Sequence, residues 1–198
     1  MQPVDPTTVR YKEQGFMKKS FLIILIMCVF PFIAAGKDRN SYLLPINDEV
    51  KAKIVDLHNK YRAEVGVPPV KWSNAVQQGG EEWALHLAED KGLRMVHSSS
   101  KNSYGENLSG GPGVWGTDKD AYSALEWAVI CFGNEKKDYN DMPVSVDSNF
   151  YKYGHYTQMV WKTTTEIGCA VAKRHDIPGY IVVCRYKPAG NMIGQKPY

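Results

Sequence analysis

Between Tyr153 and Asn191 the chain reads YGHYTQMVWKTTTEIGCAVAKRHDIPGYIVVCRYKPAGN, with His155 in a tyrosine-rich stretch ahead of two apolar runs that each carry a cysteine. An imidazole can be a general base or a metal ligand. A thiolate can be a nucleophile when a neighbouring base or cation lowers its pKa. Any of these side chains can also simply fill a core. The sequence has no His-Glu-x-x-His helix of the zinc-hydrolase kind, and nothing marks a serine as activated. Thr157 and Ser98 lie beside histidine-bearing segments, but adjacency along the chain is not geometry. Cys131, next to Phe132 in an apolar stretch, reads as a buried free thiol, with a catalytic Cys–His pair as the sharper alternative. Of the other histidines, His58 and His86 fall in helical patterns as structural or surface residues, and His175 falls in a solvated turn.

The N-terminus sets the compartment in which these groups would work. From Met17 the chain runs MKKSFLIILIMCVFPFIAAGKDRN: two lysines, an apolar run from Phe21 to Ile33 broken by Pro31, then small residues. That order is a secretory signal, and the run is too short for a membrane span, which needs roughly 20 apolar residues. Residues 1–16 form an upstream extension, 17–35 the signal, 36–47 a linker and 48–198 the folded domain. Removing residues 1–35 takes away four basic and two acidic side chains, so the formal charge falls from +3 to +1. No basic patch remains to neutralise a run of phosphates, which excludes nucleic acid as the expected partner. The expectation is a monomeric extracellular protein with no membrane span after cleavage.

Cys28 leaves with the signal, so Cys131, Cys169 and Cys184 remain, and an oxidising compartment predicts one bridge and one free thiol. EIGCAVAKR and GYIVVCRY are short β-branched runs flanking HDIPG, a strand–turn–strand pattern that pairs Cys169 with Cys184. Ahead of them come helices. Ile54, Leu57, Tyr61 and Val65 recur at helical spacing after Asp48, a capping residue, and Gly66 ends that helix. A second helix runs from Ala75 past Trp83 and Leu87 to Gly92, with Gly79-Gly80 marking a place of close packing. MVHSSSKNSYGENLSGGPGVWG reads as loop, and a third helix starts near Asp118 or Asp120. Helices first and strands last, in one short chain, indicate an α+β fold. Among the aromatics, Tyr151, Tyr153 and Tyr156 belong to the core or a cleft wall and Trp161 to the core.

GHYTQMVWKTT and YIVVCRYKPAGN resemble the two signature motifs of the CAP superfamily, the cysteine-rich secretory, antigen 5 and pathogenesis-related class 1 proteins. HNKYRAEVGVPPVKW is similar to that family's first helix and turn, and HSSSKNSYGENLS to its central segment, so four motifs stand in order over roughly residues 48–194. The resemblance implies a three-layer α–β–α sandwich with an open cleft, on which two histidines and two glutamates converge. Carried over, these are His97, Glu106 and His155, with the second glutamate on the third helix. Counting back from Tyr139-Asn140 gives Glu135, whereas counting forward from Trp127 gives Ile130; the difference is an apparent insertion, CFGNE.

The resemblance further implies a non-catalytic secreted binding module for a sterol, lipid or protein. His97 and His155 would hold Zn2+ or another divalent metal weakly, and no cofactor is required. The alternatives are a metal-dependent or Cys-based hydrolase, and a toxin-like or defence effector acting on a protein target. The chain ends soon after the second signature, without the cysteine-rich module that family channel effectors carry. Val114 and Trp115, in a glycine-rich segment, are candidates for lipid contact. Asn107-Leu108-Ser109 is the chain's one acceptor sequon; it overlaps the segment carrying Glu106 and is expected to stay largely unglycosylated. The signal reading predicts that Edman sequencing of the secreted protein begins near Gly36. Material that begins at Met1 would refute it.

Overall fold

The computed structural model describes residues 41–99, 104–113, 120–145 and 149–198. The upstream extension, the signal, Asp118 and the candidate lipid contacts Val114 and Trp115 lie outside them. Two strands, β4 (Glu166–Arg174) and β5 (Gly179–Lys187), form an antiparallel hairpin at the centre of the molecule. Their side chains alternate between two buried faces. Ile167, Cys169 and Val171 join Tyr180, Val182, Cys184 and Tyr186 in one core, while Ala170 and Ala172 join Ile181 and Val183 in the other. Burial on both faces is why these strands read as nearly unbroken apolar runs. Cys169 lies directly opposite Cys184 and the two form the disulfide, leaving Cys131 free. Cys131 is half-buried, where the sequence placed it fully inside; it sits on a helix side that adjoins a cavity.

The sheet order is β1 (Ser41–Leu43), β4, β5 and β3 (Gly105–Pro112), with β2 (Lys71–Trp72) also beside β4. β1 pairs antiparallel with β4, so a segment assigned to the linker belongs to the domain. β3 lies in the stretch read as loop. Its glycines, serine and proline carry little strand propensity, and it is a strand because β5 supplies a partner for all eight of its residues.

Helix α2 (Asn74–Lys91) covers one face of the sheet and ends at Gly92, whose φ of 60° is left-handed. The close packing marked by Gly79-Gly80 has two components. A Cβ on Gly79 would sit 2.7 Å from the Arg185 guanidinium, and one on Gly168 of β4 would overlap the backbone of Gln77. The other face carries α1 (Asp48–Glu64), α3 (Ala121–Asn134) and the short α4 (Gly154–Met159). The result is an α–β–α sandwich. α3 is capped by Asp120, which accepts from Ser123 N at 2.8 Å. α1 is capped by Asn47 and not by Asp48: the Asn47 side chain accepts from Val50 N at 2.9 Å. Asp48 and Glu49 occupy the first turn, where negative charge favours the helix dipole.

The inner face of α1 departs from the apolar spacing. Its fully buried residues are Ile54, His58 and Arg62, spaced i, i+4, i+8, while Leu57, Tyr61 and Val65 only flank the core. Arg62 has no acidic partner among the described residues. Its guanidinium donates to the carbonyls of Pro68, Met159, Trp161 and Thr164 at 2.8–3.0 Å. Burial lowers its pKa to about 10, so it stays charged at neutral pH. Arg62→Leu keeps the bulk but strands three buried acceptors and the Pro68 carbonyl, and should cost more than about 3 kcal/mol in urea unfolding. Arg62→Lys should recover only part of that, because one ammonium cannot span the same fork of carbonyls. A loss below about 1 kcal/mol in the leucine variant would show that these bonds carry little net stability.

Candidate functional site

The first N–H groups of α4 have no partners within the helix. Glu135, in the single 3-10 turn (Glu135–Asp138) that follows α3, supplies them: its Oε2 accepts from His155 N at 2.9 Å and Tyr156 N at 3.3 Å. Its Oε1 accepts from His155 Nδ1 at 2.6 Å. One carboxylate therefore caps the helix and orients the ring, and the ring also stacks on Phe132 with centroids 4.7 Å apart. The count back from Tyr139-Asn140 lands on this carboxylate, and Ile130 has no comparable role. On the other flank Asn191, held at a left-handed φ of 56°, donates to Gly154 O at 2.8 Å and accepts from Thr157 Oγ1 at 2.7 Å. Gln158 accepts from Gly190 N at 3.0 Å. The two C-terminal motifs thus grip each other at the start of α4.

The second imidazole comes from the other layer. His97 follows α2, and its Nδ1 donates to Glu106 Oε1 on β3 at 3.0 Å. Glu106 also accepts from Ser98 N and Ser98 Oγ, both at 2.9 Å, and from Arg185 Nε at 3.3 Å. Arg185 stands opposite Glu106 in the strand register, and the two side chains are only 6% and 7% exposed. Burial alone would raise the Glu106 pKa. The bonds from His97 and Ser98 and the charge of Arg185 outweigh it, so the carboxyl sits below its ordinary range and stays ionised.

His97 and His155 line one cavity of about 310 Å3, together with Asn107, Phe150, Tyr151 and Asn191. Tyr151 is an exposed rim residue, whereas Tyr153, Tyr156 and Trp161 are buried in the core. Each ring has a carboxylate at Nδ1, and neither Nε2 has a hydrogen-bond partner among the described residues. No group of three or more His, Cys, Asp or Glu side chains converges as a metal-binding set among those residues. The other histidines are elsewhere. His86 pairs with Asp90 on the exposed side of α2, and His175 stacks on Tyr42, so its turn is exposed but not merely solvated.

A buried polar relay also reaches the site. His58 Nδ1 donates to Ile54 O at 2.8 Å, which leaves Nε2 to accept from Tyr186 OH at 3.0 Å. Asn107 Nδ2 donates to Tyr186 OH at 3.2 Å and to His155 O at 3.0 Å. The relay links α1, β5, β3 and α4. It also explains how the Asn107 sequon is concealed, since the residue is buried and the amide nitrogen that would carry a glycan already makes two hydrogen bonds. The sequence signal that was available lay in α1, where His58 and Arg62 are polar residues one turn apart on the inner face. Cys131 adjoins Glu135 and His155 around a second cavity. Burial and then the Glu135 charge hold its thiol above the ordinary value, the opposite of an activated nucleophile.

The Cysteine-rich secretory protein (CAP) family matches residues 55–186. The chain belongs to the CAP family. This CAP domain is 40% identical over 144 residues to Pathogenesis-related protein 1B of Nicotiana tabacum, covering 73% of this chain and 78% of that protein. It is 41% identical over 140 residues to Pathogenesis-related protein PRMS of Zea mays, covering 71% and 77%. Among solved structures it is similar to NaASP2 with Zn2+, at a TM-score of 0.63 and 25% identity, covering 77% of this chain and 86% of that one.

The relay makes the CAP domain sensitive to acid. Burial, reinforced by the Arg62 charge, lowers the His58 pKa to about 4, against about 6.5 when unfolded. The unfolded chain then takes up this proton at higher pH than the folded one. The stability is fully present above about pH 6.5 and is lost as pH falls towards 4, by about 3 kcal/mol. Glutamine can donate and accept but does not titrate. His58→Gln should therefore flatten the fall in urea midpoint between pH 7 and 4 relative to wild type, while acidic groups affect both proteins alike. Parallel curves would place the acid sensitivity elsewhere.

Proposed function

We propose that this protein is a secreted, defence-related binding module that performs no reaction, and that its cleft takes a divalent cation weakly between His97 and His155. One observation carries the metal reading. Glu106 and Glu135 occupy Nδ1 of the two rings, fixing the tautomer that leaves both Nε2 lone pairs available. A carboxylate behind a histidine is the usual support of a zinc-ligating imidazole. Two protein ligands leave the remaining positions to water or to a bound molecule, so affinity is low, and such an ion would serve as a Lewis-acidic anchor. The zinc in the NaASP2 structure is consistent with this. The occupant beside the metal is a sterol, a lipid or a protein segment, and kinship with pathogenesis-related proteins favours a defence role. No helix among the described residues is long and apolar enough to cross a membrane. The thiol-hydrolase reading is disfavoured by the raised Cys131 pKa.

Calorimetry with zinc should give one weak site, lost or weakened at least about tenfold in His97→Ala and in His155→Ala. Affinity should fall with pH, because an imidazolium cannot ligate. His97 is 63% exposed, so its removal should leave the circular dichroism spectrum unchanged. Unchanged zinc affinity in both variants would exclude these rings as ligands. Zinc-dependent peptide hydrolysis that both variants lose would instead make the protein an enzyme.

A further inference from the structure

A second cavity, of about 320 Å3, shares only His155 with the histidine cleft among the described residues. Its volume is at the low end of small-molecule sites. Trp127, Phe132, Tyr180 and Met95 contribute to its lining, and Glu135 is its one charged side chain among the described residues. Trp127 and Met95 are 52% and 55% exposed, a large apolar investment to leave in contact with water.

Charge decides what such a cavity can hold. Among the described residues no lysine or arginine lines it. Lys136, adjacent to Glu135, bonds instead to Glu64 at 2.9 Å, and Lys137 lines a separate cleft with Tyr61. Glu135 receives bonds from His155 Nδ1 and from the backbone N–H groups of His155 and Tyr156. The backbone donors bring it no countercharge. The Cys131 thiol on the same wall is held above its ordinary pKa and adds no second charge at neutral pH. Aromatic faces, a polarisable thioether and a single carboxylate suit an organic cation: ring quadrupoles attract an ammonium group, and its apolar substituent covers exposed carbon. An anion of the same shape meets Glu135, and a neutral molecule gains only burial.

We propose that this cavity is a binding site for a small organic ammonium ion with an apolar group of about phenyl size. The apolar group packs against Trp127 and Met95, and the nitrogen is drawn to Glu135. The site goes beyond the metal reading and does not depend on it.

The test uses the signal-processed protein at pH 8 with chelator present, so that no metal contributes. Calorimetry compares 2-phenylethylammonium, 2-phenylethanol and phenylacetate, which share a ring and differ in charge. The ammonium should bind about tenfold more tightly than the alcohol, and phenylacetate should not bind. Trp127→Ala should lose at least about fivefold in ammonium affinity, and Met95→Ala should serve as the second variant if the first folds poorly. His97→Ala should bind the ammonium as wild type does, because His97 lines only the other cavity. Equal affinity for the ammonium and the alcohol, no binding of the ammonium, or full affinity in Trp127→Ala and Met95→Ala would each overturn the proposal. Loss of ammonium binding in His97→Ala would place the ligand in the histidine cleft, and would also overturn it.

Discussion

Everything on the cleft side of the sheet hangs on one buried cation. Arg62 reaches from α1 across the loop that follows it to the end of α4 and on to the residues that lead into β4, and at every point it meets a carbonyl. A guanidinium is suited to this because its donors diverge in a fixed plane, so one side chain can satisfy several acceptors that no helix or sheet ladder has claimed. The last carbonyls of α4 are also the negative end of that helix's dipole, which offsets part of the cost of burying the charge. Without a stop at its C-terminal end, a helix of six residues has little reason to exist in water. With it, the opposite end is held where Glu135 can cap it, and His155 is the residue at that cap.

The two imidazoles reach the cleft by different routes and receive equivalent support. His155 is oriented from α3 and the turn after it, on the face that also holds α1. His97 is oriented by β3, whose Glu106 is fixed in turn by Arg185 of β5 and by the space that Gly79 leaves in α2. Each layer therefore contributes one carboxylate–imidazole pair. Asn107, next to Glu106 on β3, carries the connection through the sheet by bonding to the His155 carbonyl. A side chain on β3 thus ties the two halves together, alongside β5, whose Arg185 and Tyr186 face one half each.

How much of this could be read from the sequence depended on whether a residue's role followed from its neighbours in the chain. β4 and β5 were legible because burial on two faces leaves a run of β-branched residues, and their bridge followed from the turn between them. α1 and α2 showed through their glycine stops and α3 through its aspartate cap, whereas the six-residue α4 left no periodic signal. β3 did not, because a strand of Gly, Ser and Pro is held by its partner and has no preference of its own. His97, Glu106 and His155 were found through motif resemblance, which encodes position without explaining it. Glu135 was ambiguous because α3 continues for a further stretch before the capping turn. His58, Tyr186 and Arg62 were not recognised as supports of the site, since hydrogen bonds between residues about 100 positions apart leave no local pattern.

The pairing of β3 with β5 also orders events during synthesis. Asn107 is opposite Cys184 and Glu106 is opposite Arg185, so β3 leaves the ribosome more than 70 residues before the strand that will hold it. At ordinary elongation rates that interval is several seconds, on the order of 4–15 s. Throughout it the sequon amide is uncovered, the carboxylate lacks its arginine, and Cys184 does not yet exist to meet Cys169. A nascent chain can collapse α1 and α2 early, but it cannot own a cleft until β5 is made. In a secretory compartment a glycan on Asn107 would have to be added before β5 arrives, and its occupancy would record the order of those two events.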